Sequence, residues 1–238
     1  MNLNIDLELV KTGCELSELA YHEDNSDAIR VHSRLTSTTA YIIKDDHMDY
    51  VVFRGTQQMQ DWFINLSAFP LWIGRWVHGG FALAQKSIFR KIKKHLDRDK
   101  PVALFGHSMG GAIAEITAYK LKWDSVHMVT YGKPNVWLRS KKPRMSHLKT
   151  QISVVAGDDL ITKLPAILYA PDSGQAQIWL GNNSQNYINP TQEQKEKDRN
   201  SFIGSVNDHF MTKSYLPRIN DFVIEEAVCA SLSQSLLH

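Results

Sequence analysis

The stretch that most restricts how this chain can fold is Val102-Ala103-Leu104-Phe105-Gly106-His107-Ser108-Met109-Gly110-Gly111-Ala112. Val102 to Phe105 is a short apolar run and reads as a buried strand. The run breaks at Gly106. From Met109 to Leu121 the residues favour a helix, with Ala112, Ile113, Ile116, Ala118 and Leu121 as its apolar stripe. Ser108 stands where strand becomes helix, inside G-x-S-x-G. A serine hydroxyl is a weak nucleophile and must project clear of the backbone to meet both a base and a substrate carbonyl. A sharp strand-to-helix turn achieves this only where the residues two before and two after the serine lack colliding side chains. Gly106 and Gly110 fill those places. The Met109 N–H, at the start of the helix, is then expected to point toward a developing oxyanion.

The remaining chain alternates strand-like and helix-like segments. Thr12-Gly13-Cys14-Glu15 has the form of a capping box and predicts a helix from about Thr12 to Tyr21, with Leu16, Leu19 and Ala20 toward the core. Thr38 to Lys44 and Asp49 to Arg54 read as strands joined at Asp45-Asp46-His47. The run Tyr50-Val51-Val52-Phe53 suits a strand buried on both faces. Gln57 to Gly80 is irregular and crowded with large apolar side chains, among them Trp62, Phe63, Phe69, Trp72 and Trp76. Phe81 to Leu96 is an amphipathic helix with a Lys/Arg-rich outer face. After the serine turn, Ser125 to Thr130, Gln151 to Ala156 and Ala176 to Leu180 read as strands, the last near a sheet edge. Arg139 to Lys149 is basic and irregular, Asn182 to Asn200 reads as a polar surface excursion, and Asp221 to Leu232 as a final helix.

This alternation predicts an α/β fold with a largely parallel sheet. No repeat or linker divides the chain, so residues 1–238 are expected to form one domain. Sites in such sheets gather at the carboxyl ends of strands, and Thr56, Ser108 and Asp159 each follow a predicted strand. A formal net charge of +2 is too small to argue for nucleic acid, and no run approaches the apolar length of a transmembrane helix. Met1 to Asp6 has neither a basic nor an apolar leader region, so a signal peptide is not expected. Cys14 and Cys229 have no spacing that suggests a disulfide framework or a metal site. The default expectation is a reduced, cytoplasmic protein.

A serine nucleophile needs a base. Of ten histidines, only His209 and the terminal His238 follow the Asp159 strand, and the order Ser, acid, His is the one α/β-hydrolases use. His209 follows Asp208 and precedes Phe210, Met211, Tyr215 and Leu216, which can anchor it, whereas His238 lies at a terminus prone to fraying. His107 is expected to turn away from the neighbouring serine and pack, and His78 to be structural. The group that orients the imidazole is Asp158 or Asp159, between which the residues alone do not choose. Thr56 is placed to join the Met109 N–H as second oxyanion donor.

Together these segments resemble the class 3 lipases, the family of the filamentous-fungal triacylglycerol lipases. The resemblance runs from about Leu16 to Tyr215. It is carried by V-V-F-R-G-T (Val51 to Thr56), D-W-x-x-N-L (Asp61 to Leu66), V-H-G-G-F (Val77 to Phe81), G-H-S-M-G-G-A (Gly106 to Ala112), Y-G-K-P (Tyr131 to Pro134), D-L-I-T-K-L-P (Asp159 to Pro165) and D-H-F-M-T-K-S-Y (Asp208 to Tyr215). It implies an α/β-hydrolase fold, Ser108 as nucleophile, His209 as base, Asp159 rather than Asp158 as acid, and Thr56 with Met109 as oxyanion hole. It implies no cofactor and no metal. The activity implied is cleavage of acylglycerol or related lipid esters through an acyl-enzyme, with phospholipase A1 or an aromatic-acid esterase as alternatives, and a catalytically silent binding module as a more distant one. The segment from about 57 to 76 corresponds to the family's lid, with Trp62, Phe63, Phe69 and Trp72 as candidate acyl-groove residues. The family's usual Pro-Arg is Pro134-Asn135 here, so that turn is expected to be held differently.

Overall fold

The computed structural model describes residues 5–22, 27–55, 69–139, 142–166, 168–171, 176–182, 185–200, 205–222 and 228–229. Thr56, Trp62 and Phe63 lie outside them.

The apolar runs become the strands of one sheet. Its elements are β1 (Ile29–Ser33), β2 (Thr38–Lys44), β3 (Asp49–Phe53), β6 (Val102–His107), β7 (Val126–Tyr131), β8 (Leu148–Ala156), β9 (Ala176–Leu180), β10 (Tyr187–Ile188) and β11 (Val228–Cys229), in the spatial order β1-β2-β3-β6-β7-β8-β9-β10-β11. The pairs from β3 through β9 are parallel, and β1-β2, β2-β3 and β9-β10 are antiparallel. In β6 all six residues are buried, as a strand with helices on both faces requires. A separate hairpin, β4 (Pro70–Trp72) with β5 (Trp76–His78), lies outside this sheet.

Two apolar layers flank the sheet. On one face lie α2 (Gly79–His95) and α3 (Met109–Leu121), which pack Phe81, Ile88, Ile92, Ile113 and Ile116 against Phe53 and Leu104. On the other lie α1 (Leu7–Leu19) and α5 (Leu216–Asn220), whose Val10, Cys14 and Ile219 meet Phe105, Tyr131 and Val154. A short surface helix, α4 (Gln192–Lys197), starts at a capping box on Thr191.

Several expectations are corrected. The first helix begins at Leu7 rather than Thr12, because the Asp6 carboxylate accepts the Leu9 N–H at 3.0 Å and caps it there. The face it buries is Leu9, Val10, Gly13, Cys14 and Ser17, and Leu19 is exposed. The Tyr131 hydroxyl donates to the Val10 carbonyl, which ties this helix to the sheet. β9 lies near an edge, as expected, with only the two-residue strands β10 and β11 beyond it. The polar stretch from Asn182 to Asn200 contains β10 and α4. The final helix over Asp221 to Leu232 is overturned where that stretch is described. Val228–Cys229 is a strand parallel to β10, and the last helix among the described residues, α5, ends at Asn220. Backbone pairing with an unfilled strand edge outweighs the helix preference of so short a segment.

Candidate active site

Ser108 closes β6 and caps α3 at φ 57° and ψ −127°, a conformation that costs a non-glycine residue about 1–3 kcal/mol. The glycines around it are there for space. A Cβ on Gly106 would lie 2.3 Å from the Gly110 carbonyl carbon, and one on Gly110 would lie 2.0 Å from the Phe53 oxygen. The turn is therefore pressed against the end of β3. Gly55, the residue before Thr56, is buried in the same crowd, and a Cβ there would sit 2.9 Å from the His107 carbonyl oxygen. Met109 is the first residue of α3 and is buried.

Asp158 and Asp159 do different work. Asp158 fastens loops: its Oδ2 accepts the Asn200 N–H at 2.7 Å and the Asn182 Nδ2 at 3.3 Å, and Arg199 Nε lies 3.9 Å from Oδ1. Asp159 is fully buried and turned the other way. Its Oδ2 accepts His209 Nδ1–H at 2.7 Å and the Tyr215 hydroxyl at 2.6 Å, and its Oδ1 accepts the Ile161 N–H at 2.9 Å. Both carboxylate oxygens thus hold donors. With Nδ1 donating, the neutral His209 ring carries its lone pair on Nε2. That nitrogen is buried and has no hydrogen-bond partner among the described residues. An imidazole held this way can accept a proton at one nitrogen while a carboxylate steadies the cation at the other.

Two further residues build this arrangement. His107 does more than pack. Its Nε2 lies 2.7 Å from the His209 carbonyl oxygen and its Nδ1 2.8 Å from the Tyr21 hydroxyl, with the two imidazole rings 4.5 Å apart. A carbonyl only accepts, so Nε2 carries the proton and Nδ1 accepts from Tyr21. Complete burial, with the His209 charge as a lesser cause, holds His107 well below the usual imidazole pKa and keeps it neutral. Tyr215 reaches Asp159 because Met211–Tyr215 forms a π-helical turn directly after the 3₁₀ turn Asn207–His209. Burial first, then the Asp159 carboxylate, raises the Tyr215 pKa, so its hydroxyl stays a donor. The sequence marked Tyr215 only as an anchor; nothing in its spacing revealed the bond to Asp159.

The Y-G-K-P turn closes the floor. Gly132 has φ +56°, and a Cβ there would come within 2.8 Å of Asp159 Oδ2 and 3.1 Å of His209 Cε1. Lys133 is buried in an ion pair with Glu115 of α3 at 2.8 Å, and Trp137 Nε1–H donates to the same carboxylate at 2.9 Å. Asn135 donates its backbone N–H to the Leu164 carbonyl at 2.8 Å and its side chain to the Pro165 carbonyl at 3.1 Å. The turn is thereby fixed to the loop that follows Asp159.

Trp72 is exposed on the β4–β5 hairpin, and Phe69, which precedes β4, is half-exposed with its ring against Gly79. His78 is buried and stacks on Phe81 at 4.2 Å, consistent with a structural role. Among the described residues no group of three His, Cys, Asp or Glu side chains is arranged to hold a metal ion.

Comparison with known proteins agrees with the architecture. A secreted mono- and diacylglycerol lipase of Fusarium solani is 29% identical over 164 residues, 61% of this chain and 48% of its own length. A chloroplastic phospholipase A(1) of Arabidopsis thaliana is 30% identical over 98 residues, 39% of this chain and 22% of its own length. The chain thus spans half or less of the length of these curated relatives. The Rhizomucor miehei lipase–propeptide complex has the same fold, with a TM-score of 0.66 and 20% identity over 88% of this chain and 81% of that one. A triacylglycerol lipase described as having a serine protease triad at its catalytic centre superposes with a TM-score of 0.67 and 20% identity, over 88% and 95% of the two chains. The family model for lipase (class 3) matches residues 50–169, from β3 through the Ser108 turn and Asp159 to Tyr169. The chain belongs to the class 3 lipase family.

Proposed function

We propose that the chain is a serine carboxylic-ester hydrolase that cleaves acylglycerols or related lipid esters, with Ser108, His209 and Asp159 as its catalytic triad. The observation that carries this reading is the buried His209 imidazole, bonded to Asp159 through Nδ1 at 2.7 Å and bare at Nε2. The strained Ser108 backbone at the end of a central strand supports it.

In this reading the Ser108 hydroxyl attacks the ester carbonyl while His209 Nε2 takes its proton. The oxyanion forms against the Met109 N–H and Thr56. As the ester C–O bond breaks, His209 returns the proton to the departing alcohol and an acyl-serine remains. Water then attacks the acyl carbon, giving its proton to His209. Collapse releases the fatty acid, and the proton returns to Ser108. Trp62 and Phe63 belong to the segment that covers or lines the acyl path.

The test is the rate on p-nitrophenyl esters of graded chain length, together with labelling by a fluorophosphonate. Ser108→Ala is expected to remove labelling and to lower turnover by about a millionfold; retained turnover in that variant overturns the reading. The similarity to a phospholipase A(1) favours a second reading, attack on a phospholipid acyl ester. Comparing fatty-acid release from diacylglycerol with release from a diacyl phospholipid separates the two.

A further inference from the structure

The β4–β5 hairpin has two unlike faces. Its register pairs Pro70 with His78, Leu71 with Val77 and Trp72 with Trp76. Alternation turns Leu71 and Val77 inward, where they join the core beside Trp137. Trp72 and Trp76 turn outward. They are 57% and 37% exposed, and their rings meet edge to face at 5.4 Å. The hairpin is not loose. Val77 bridges Trp137, the Leu138 N–H donates to the Trp76 carbonyl at 3.0 Å, and Leu138 bridges Tyr169. The exposed indoles therefore stand on a fastened platform.

The hairpin tip adds charge. Ile73-Gly74-Arg75 makes the turn, with Gly74 at φ +97°. Arg75 forms one wall of a groove of 550 Å³ lined also by Tyr119, Lys122, Lys142, Pro143, Arg144 and His147. Among the described residues that lining holds four Lys or Arg cations and no carboxylate; Asp124, two residues beyond Lys122, is not part of it. Lys122 Nζ lies 5.9 Å over the ring of Tyr119, which also lines the groove, so this cation is held along its wall. Because the whole chain carries a formal charge of only +2, this cluster is a local feature.

We propose that the outer face of the β4–β5 hairpin and the basic groove at its tip form a docking surface for an anionic phospholipid bilayer. Indole suits this partner, since its apolar body enters the headgroup boundary while its N–H stays hydrated. Arginine and lysine beside it meet lipid phosphates, which supplies the charge complementarity. The surface is separate from the proposed catalytic centre. Tyr119 lies eleven residues beyond Ser108 along α3, roughly 16 Å at the helical rise. The surface holds the chain at a membrane without occupying the site.

The test uses the Ser108→Ala chain, which leaves vesicles intact, and reads co-sedimentation rather than turnover, so it stands or falls separately from the hydrolase reading. Vesicles of phosphatidylglycerol and phosphatidylcholine are compared with phosphatidylcholine alone. Binding is expected to be at least about tenfold tighter to the anionic vesicles and to weaken as salt is raised. The pairs Trp72→Ser with Trp76→Ser, and Arg75→Glu with Arg144→Glu, are each expected to lose at least about tenfold in affinity. All four positions are exposed, and Trp72→Ser alone serves if the double tryptophan variant does not fold. Equal binding to both vesicle types overturns the proposal. So does unchanged binding of the tryptophan variants, and so does binding to a soluble polyanion that displaces the vesicles while the tryptophan variants behave as the parent.

Discussion

The end of β8 and the β4–β5 hairpin use large polar and aromatic side chains in opposite ways. Around Asp159 the side chains are buried, and both carboxylate oxygens hold donors from His209, Tyr215 and Ile161. On the hairpin the inner side chains and the backbone do the fastening, and Trp72 and Trp76 remain in solvent. The first region tolerates little change, because a buried carboxylate that loses a partner costs more than the bond itself was worth. The second can change its outer face freely, because the fold does not depend on it. Where the chain meets its chemistry it is overdetermined, and where it meets its surroundings it is free.

The sharpest way to break this comparison is to exchange the two neighbouring aspartates in turn. Asp159→Asn is expected to lower kcat by about ten-thousandfold, since an amide favours the wrong imidazole tautomer. Asp158→Asn is expected to keep kcat within about tenfold and instead lower the unfolding temperature, because its bonds join loops. Steady-state kinetics with thermal melts decides; the opposite pattern would interchange their roles.

A second effect lies beneath the hairpin. Burial lowers His78 from 6.5 to about 4, and it also lowers His107. Between those values the unfolded chain binds the extra proton, so stability rises with pH, is complete above about 6.5 and is lost as pH falls toward 4. For His78 the loss is at most about 3 kcal/mol. Urea unfolding across this window should show it, and His78→Phe should flatten the slope.

Tyr215→Phe comes next. Removing a hydrogen bond to a buried carboxylate, about 1.5–3 kcal/mol, is expected to lower kcat by roughly tenfold to a hundredfold with KM unchanged. A change in KM alone would mean that Tyr215 shapes substrate binding rather than Asp159. The smallest effect belongs to the hairpin: Trp72→Ser with Trp76→Ser should leave turnover of a soluble short-chain ester within about twofold. A large loss would show that this face reaches the site.

Local signals carried much of this reading. Gly106, Ser108 and Gly110 announced the turn because the motif is five consecutive residues, although the crowding at Gly110 comes from Phe53 of β3. The strands β2, β3, β6, β7 and β8 announced themselves by apolar runs, and the order of Ser, acid and His narrowed the base to His209. Other features left weaker traces. Thr12 imitated a helix cap as well as Asp6 provides one, and the strand at Val228–Cys229 had no apolar alternation long enough to outweigh a helical pattern. The hairpin was hidden in a stretch where large apolar residues adjoin, as in Leu71-Trp72-Ile73 and Trp76-Val77, so periodicity could not separate its inner face from its outer one.

The sequence by itself determined the parallel α/β arrangement, the position of the serine turn and the family resemblance, because each rests on contacts between residues near in the chain or on fixed motifs. The resemblance implied Asp159 rather than Asp158 as the acid; the three-dimensional arrangement alone revealed that Asp159 Oδ2 accepts from His209, that Tyr215 shares that carboxylate, and that His107 holds the His209 backbone. Those bonds join residues 50, 56 and 102 positions apart. No local spacing encodes them; they exist because the sheet and the turns after β7 and β8 bring distant segments to one rim.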